Sequence, residues 1–216
     1  MSDLNKIVMG RAFLFKVQER FSQAPMKHSM QKECSLRFWH LQDKFNMLEL
    51  IVGRIKNAVK SPELAKMNNR LYYYFLTDLE AYFYLLISTL DILAKLTPHF
   101  YSKWKGTKNT RRYFSHQREF FRKNPKKDQK YAKYLEDNMK WFEKARGHRN
   151  ELTHNGALII FPTSKKKFYF GTKRNKKGGI PNEEVETCIA ETFQGFCDFL
   201  TFYNSHFGAK PLKISK

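Results

Sequence analysis

The sequence predicts an all-α fold, an up-and-down bundle of about five helices with a small β-hairpin inserted near residues 157–171. Two observations lead to this prediction. Apolar residues recur with the 3.6-residue period of an α-helix over most of the 216 residues. One short stretch near the C-terminal third instead has the composition of paired strands. The chain is long enough for one domain of ordinary size. We therefore expect a single helical domain over 1–207 and a flexible tail over 208–216.

Helices in the first half are predicted from apolar spacing and from residues that begin helices. The spacing predicts a first helix over roughly 3–21 and a second over 30–59. Ser61 followed by Pro62 is typical of an N-cap with proline at the first helical position, so a third helix is expected over about 62–96. This third helix is apolar almost all round, which is typical of a central helix. The second helix is expected to bury one broad face formed by Leu36, Trp39, Leu41, Phe45, Leu48, Ile51, Val52 and Ile55.

The second half of the chain mixes helices with irregular segments. Residues 98–127 combine aromatic and basic side chains, and we expect helical pieces there with breaks near Gly106 and Pro125. A fourth clear helix is predicted from Asp128 to about His154, because its apolar residues keep the helical period.

The hairpin and the last helix complete the predicted fold. Residues 157–161 (ALIIF) and 167–171 (KFYFG) have the composition of short strands, and a hairpin is the simplest interpretation. A basic loop, TKRNKKGG, follows over 172–179, and the last helix is expected to open over 181–184. The side chains that this helix is expected to bury are Val185, Ile189, Phe193, Phe196, Phe199, Leu200 and Tyr203.

The charge of the chain indicates a polyanionic partner. Lys and Arg outnumber Asp and Glu by 40 to 20, which gives a net charge of +20. Residues 101–150 hold sixteen basic and five acidic side chains, and residues 165–177 hold seven basic and none acidic. Basic residues interleaved with aromatic ones suit RNA, since cations contact phosphates and rings stack on unpaired bases. We expect the basic loop to bind RNA through Lys173, Arg174, Lys176 and Lys177.

Several other classes of protein lose support. The N-terminus lacks the pattern of a signal peptide, and the longest uncharged run in the most apolar stretch, Ala81–Leu90, is too short to span a bilayer. Three cysteines without CxxC spacing argue against a disulfide framework and against a zinc site. The phosphate loop, dinucleotide, zinc protease and α/β-hydrolase motifs are missing. We therefore expect a soluble protein of a reducing compartment, placed in the cytoplasm, with no membrane partner, metal or cofactor.

The segment 143–156, EKARGHRNELTHNG, carries the strongest chemical pattern in the chain. On a helix, Asn150 and His154 share one face, Glu143 lies on the same face two turns earlier, and Arg149 lies on the flank. An imidazole near its pKa can move protons at neutral pH. A guanidinium can stabilise the charge that builds on phosphate oxygens. Phosphodiester cleavage needs both kinds of group.

This segment resembles the HEPN superfamily, whose ribonucleases carry Arg-x4-6-His, usually with Asn, Asp or His directly after the Arg. The match here is Arg149-Asn150-x3-His154. The resemblance implies a helical bundle of four or five helices that forms a homodimer, with two motifs in one cleft. It also implies a metal-independent RNA endonuclease of a toxin–antitoxin, abortive-infection, CRISPR or RNA-decay system. Arg149, Asn150 and His154 would then be catalytic, and Glu143 corresponds to an acidic residue that some members carry.

Two details of the sequence bear on this resemblance. A subset of the family has Tyr two residues after the His, as the target of a nucleotidyltransferase partner, but this chain has Gly156 there. A second Arg-x4-His pattern runs from Arg111 to His116 but has Arg112 where the first has Asn. Chance gives about one Arg-x4-6-His match, but only about 0.02 matches with Asn after the Arg at this one spacing, so we take the second pattern as a decoy.

Other interpretations of the same residues remain open. His154 and Gly156 could simply end a helix, where a cationic side chain and glycine are favoured, and Arg149 could pair with a nearby Glu. The protein could also be a non-catalytic RNA- or DNA-binding helical protein, since charge and aromatic content support that equally. A third alternative is a partner-bound accessory subunit of a toxin–antitoxin or defence system, which an acidic copurifying partner would indicate.

Overall fold

The computed structural model describes residues 17–19, 21–23, 28–66, 69–101, 104–155, 160–162, 167–171 and 183–208. Almost all of this part of the chain is helical, and a small antiparallel sheet accompanies the helices. The predicted all-α fold with a small hairpin is therefore confirmed. Most of the predicted first helix, the basic loop and the tail beyond Gly208 lie outside the described residues, although 17–19 and 21–23 are helical.

After the helical residues 17–19 and 21–23, six α-helices and three short strands follow one another in the described residues. The helices are α1 (His28–Ala58), α2 (Arg70–Leu96), α3 (Phe114–Lys123), α4 (Gln129–Asp137), α5 (Lys140–Asn155) and α6 (Val185–Gly208). The strands are β1 (Ile160–Pro162), β2 (Phe168–Phe170) and β3 (Glu183–Glu184). Short 3-10 helices form at Pro62–Lys66, Thr97–Phe100, Asn109–Arg111 and Pro125–Lys127. No helix in the described ranges is long and apolar enough to cross a membrane.

The described residues form two compact units. The first comprises those within 1–45, 88–139 and 195–216, and the second those within 46–87 and 140–194. Helices α1, α2 and α6 each contribute residues to both units.

Helix α1 buries a narrower stripe than the sequence predicts. Most of its buried residues are spaced alternately by four and three, as in a heptad seam, and Ile51 is buried beside them. Leu36 and Trp39 were expected on this face, but they are 55% and 61% exposed, because they lie about 150° around the helix from the middle of the stripe. Cys34 and Phe38 take their places in the core. The stripe consists of Cys34, Phe38, Leu41, Phe45, Leu48, Val52 and Ile55.

The predicted third helix is interrupted near its start. Pro62–Lys66 forms a 3-10 helix, and α2 begins only at Arg70. The side chain of Asn69 explains the new start, because its Oδ1 accepts a hydrogen bond from the backbone N–H of Tyr72 at 2.8 Å. This is the contact of an N-cap residue, so Asn69 and not Ser61 begins the long helix.

The predicted fourth helix is two helices. Asp128 begins α4 as expected, since its Oδ1 accepts from the Tyr131 N–H at 3.1 Å. The helix ends at Asp137, Asn138 leaves the helical conformation, and α5 begins at Lys140. The apolar period continues through buried Met139, and for this reason the break is not visible in the sequence.

The small sheet, which lies in the second unit, has one strand more than the predicted hairpin. β1 pairs with β2 so that Ile160 faces Phe170, and β2 pairs with β3 so that Phe170 faces Glu183. Both pairings are antiparallel. The last helix therefore begins at Val185, after the β3 strand, and not over 181–184. Of the predicted strand 157–161, only 160 and 161 lie within the described residues.

Polar contacts organise the aromatic core of the first unit. Asp128 Oδ2 accepts a hydrogen bond from the Tyr101 hydroxyl at 2.7 Å and lies 2.8 Å from His206 Nε2. The His206 ring stacks on Phe202 and lies nearly parallel to Tyr131, with centroids 5.4 and 5.9 Å away. A buried carboxylate needs such partners, so this cluster has a structural role in the first unit.

Candidate functional site

Helix α5, in the second unit, separates an apolar face from a polar one. At 100° per residue, Glu143, Asn150 and His154 fall within about 40° of one another, on the side opposite the core. Glu143 and His154 are exposed, and Asn150 is half-buried. The buried face of the helix consists of Trp141, Phe142, Ala145, His148 and Leu152.

Arg149 lies on the flank between these two faces and is half-buried. Its Nη1 donates a hydrogen bond to Asn150 Oδ1 at 3.3 Å. Its backbone carbonyl accepts from Thr153 Oγ1 at 2.9 Å, and that hydroxyl also lies 3.4 Å from the hydroxyl of Tyr84 on α2. The last turn of α5 is thus joined to α2 beside the motif.

His154 stands in the last turn of α5 and is exposed to solvent. Histidine is a common residue at this position, because the carbonyl end of a helix carries partial negative charge. The exposed side chain can be reached by a ligand that approaches from solvent. The location therefore suits a helix-ending residue and a proton-transfer residue equally well.

Glu143 is on the predicted face but lies along the helix from the motif. Seven residues separate it from Asn150, which corresponds to about 10 Å of helix. Its Oε2 lies 3.6 Å from Nη1 of Arg146, and both side chains are nearly half exposed. Exposed pairs of this kind contribute little to stability.

The decoy pattern does not occupy one helix. Arg111 ends a 3-10 helix, Arg112 and Tyr113 follow it, and His116 lies in the first turn of α3. All four of these residues are exposed. Arg111 and His116 therefore lack the fixed helical relationship of Arg149 and His154. The four predicted RNA-binding residues of the basic loop, 173, 174, 176 and 177, lie outside the described residues.

A buried cluster behind the motif was missed by the sequence analysis. His148 Nε2 lies 3.5 Å from Cys188 Sγ and 3.9 Å from Glu183 Oε2. His148 and Cys188 are completely buried. Lys144 donates to Glu183 Oε1, and it donates to Glu191 Oε2 at 2.6 Å. The spacing of 35 and then five residues along the chain matches no familiar ligand motif, so only the packing of α5, β3 and α6 reveals the cluster.

Burial sets the protonation of this cluster. Burial and the Lys144 ammonium lower the pKa of His148 to about 4, so the ring is neutral at pH 7. Burial, followed by the Glu183 carboxylate, raises the pKa of the Cys188 thiol. Burial also acts to lower the pKa of Lys144, but the hydrogen bonds to Glu183 and Glu191 outweigh it and raise that pKa above its ordinary value.

Comparison with family models gives no match, and comparisons with curated proteins and with solved structures give none either.

Proposed function

We propose that this protein is a metal-independent RNA endonuclease of HEPN type, acting in the cytoplasm as a toxin or defence effector. The observation that carries the proposal is the arrangement of Arg149, Asn150 and His154 at one end of α5. None of the three side chains is fully buried, and Asn150 and His154 lie on the side of the helix opposite its buried face, so packing of the core does not account for these two. A cation, an amide and an imidazole that solvent can reach are the groups that phosphodiester cleavage requires.

The reaction uses the RNA itself as nucleophile. The 2′-hydroxyl attacks the adjacent phosphorus as an imidazole removes its proton, the P–O5′ bond breaks, and the leaving oxygen takes up a proton. The products are a 2′,3′-cyclic phosphate and a free 5′-hydroxyl. His154 is the proton-transfer group, and Arg149 stabilises the negative charge on the phosphate oxygens. Asn150, which already contacts the Arg149 guanidinium, holds that guanidinium or donates to the phosphate.

One imidazole does not easily act as base and acid across the same bond. A homodimer supplies a second imidazole, so the proposal includes a composite site on a two-fold axis. The net charge of +20 supports RNA as the substrate, since phosphate contacts dominate nucleic-acid affinity. An antitoxin or another acidic partner would restrain such an enzyme in the cell.

The experiment that tests the proposal is incubation of the purified full-length protein with RNA in Mg²⁺-free buffer containing a chelator. We expect cleavage with products whose 5′ ends accept phosphate from a polynucleotide kinase without prior dephosphorylation. Their 3′ ends should resist extension until the cyclic phosphate is opened and removed. Salt-sensitive RNA binding without cleavage would instead favour the non-catalytic nucleic-acid-binding protein.

A further inference from the structure

We propose that His148, Glu183 and Cys188 form a binding site for one divalent transition-metal ion, with Zn²⁺ as the ion that fits best. Their ligand atoms, Nε2, a carboxylate oxygen and Sγ, all lie within 4.8 Å of one another. The three residues come from α5, β3 and α6 of the second unit. This inference is independent of RNA cleavage and concerns the buried side of α5.

The distance between the nitrogen and the sulfur ligand fits tetrahedral zinc, and the carboxylate oxygen lies somewhat farther away. With Zn–N of about 2.1 Å and Zn–S of about 2.3 Å, a nitrogen and a sulfur ligand of one ion lie about 3.6 Å apart. The observed distance between His148 Nε2 and Cys188 Sγ is 3.5 Å. An oxygen ligand should lie about 3.4 Å from the nitrogen, and Glu183 Oε2 lies at 3.9 Å. Binding of the ion would therefore have to draw this oxygen about 0.5 Å closer to the nitrogen.

The orientation of His148 is fixed without a hydrogen bond from its other nitrogen. Nδ1 has no hydrogen-bond partner among the described residues. The ring instead stacks on Phe83, with centroids 4.7 Å apart, and contacts Phe170 at 4.2 Å. Packing between these two rings holds Nε2 toward Cys188 and Glu183.

The donor set selects the type of ion. A thiolate, an imidazole and a single carboxylate oxygen suit Zn²⁺, whereas Mg²⁺ and Ca²⁺ require a shell of oxygen ligands. Three protein ligands leave the fourth tetrahedral position to water. Glu183 can serve in this way because its Oε2 faces His148 while its Oε1 accepts from Lys144.

The charges of the cluster also balance around a divalent ion. Without metal, and with the Cys188 thiol protonated, the cluster has a net charge of −1. Two carboxylates, of Glu183 and Glu191, each contribute −1 and the Lys144 ammonium contributes +1. Binding of Zn²⁺ adds two positive charges and releases the thiol proton of Cys188 to solvent, so the cluster becomes neutral. The bound ion would join α5 to α6 directly before Arg149, while His154 lies on the opposite side of α5.

Metal content and spectroscopy of the full-length protein test the proposal. Protein refolded or dialysed with Zn²⁺, and then freed of loose metal, should retain one Zn²⁺ per chain by elemental analysis. Replacement by Co²⁺ should give a thiolate-to-cobalt charge-transfer band in the near ultraviolet, which requires a cysteine ligand. Less than stoichiometric Zn²⁺, or a Co²⁺ complex without that band, would overturn the proposal.

Variants identify the ligands. C188A should remove the charge-transfer band and lower Zn²⁺ affinity by at least about 100-fold, judged by competition with a chromophoric chelator. C197S, a matched change in the same helix, should bind Zn²⁺ as the wild type does. If C188A does not fold, Glu183→Gln serves as the second variant and should weaken Zn²⁺ binding while the band persists. Full Zn²⁺ affinity in either ligand variant would refute the site. H154A should keep its Zn²⁺, which separates this proposal from the proposed RNA cleavage.

Discussion

The guanidinium of Arg149 donates a hydrogen bond to the side-chain oxygen of Asn150, its immediate neighbour, at 3.3 Å. Neighbouring residues on a helix point about 100° apart, so this contact draws the Arg149 side chain from the flank of α5 toward the face that carries His154. The amide thus gives the guanidinium a defined direction before any substrate binds. The predictions on catalysis follow from this arrangement.

Replacement of Arg149 should slow cleavage and weaken RNA binding. R149A removes a donor that stabilises charge on the phosphate, and we expect a loss of about 10²-fold or more in the single-turnover rate. R149K keeps the positive charge but lacks the two-pronged geometry of the guanidinium. Its rate should therefore fall between those of the wild type and of R149A. The same assay on R111A should give nearly the wild-type rate. Equal losses in R149A and R111A would argue against a site at α5.

Mixed dimers should recover part of the activity. An R149A copy retains His154, and an H154A copy retains Arg149, so a heterodimer rebuilds one arrangement of the composite site. We expect the mixture, after subunit exchange, to cleave RNA faster than the sum of the two variants measured alone. The control is each variant on its own, carried through the same subunit-exchange protocol. A mixture no faster than that sum would count against a shared site.

The basic loop should contribute to RNA affinity through phosphates. Each phosphate contact on a single strand adds about 0.7 to the slope of log affinity against log salt. Neutralising the loop should therefore weaken binding and lower this slope by up to about 3. The residues to replace with Gln are Lys173, Arg174, Lys176 and Lys177.

A control variant separates the loop from net charge. K32Q/K60Q removes two exposed lysines elsewhere and should change the slope less than K176Q/K177Q does, in the same titration. An unchanged slope in the fourfold loop variant would show that the loop makes no phosphate contacts.

Acid should destabilise the first unit through His99. Burial, followed by the Arg37 guanidinium, lowers the pKa of His99 below 6.5; Glu33 opposes this and Arg111 adds to it. The His99 ring takes up a proton near pH 6.5 in the unfolded chain but only at lower pH in the folded chain. The neutral ring therefore makes its full contribution to the free energy of unfolding above pH 6.5. It is lost as the pH falls below 6.5.

Urea unfolding at pH 7 and pH 5 measures this effect. H99Q cannot take up the proton, so its free energy of unfolding should fall less between the two pH values than that of the wild type. An identical pH dependence in both proteins would contradict the assigned role of His99.

The sequence predicts most of the helices because burial follows the apolar period, as in α2 and in the seam of α1. It misplaces Leu36 and Trp39, since a long helix offers several apolar stripes and only packing selects one. The break at Asn138 is hidden because Met139 continues the period. The side chains of His148 and Cys188 meet only through the packing of α5 on α6, which no local pattern records. The face shared by Asn150 and His154, by contrast, depends on helical spacing alone and could be read from the sequence.

The central claim is that His154 transfers a proton during RNA cleavage, and the single-turnover cleavage rate of H154A in chelator tests it most directly. The account predicts a rate lower than wild type by about 10²–10⁴-fold with RNA affinity nearly unchanged, because the imidazole acts on the proton and not on binding. H116A, the matched change in the decoy pattern, should cleave at the wild-type rate. Full cleavage of RNA by H154A would contradict the claim, and an equal loss in H116A alone would move the site to the other motif.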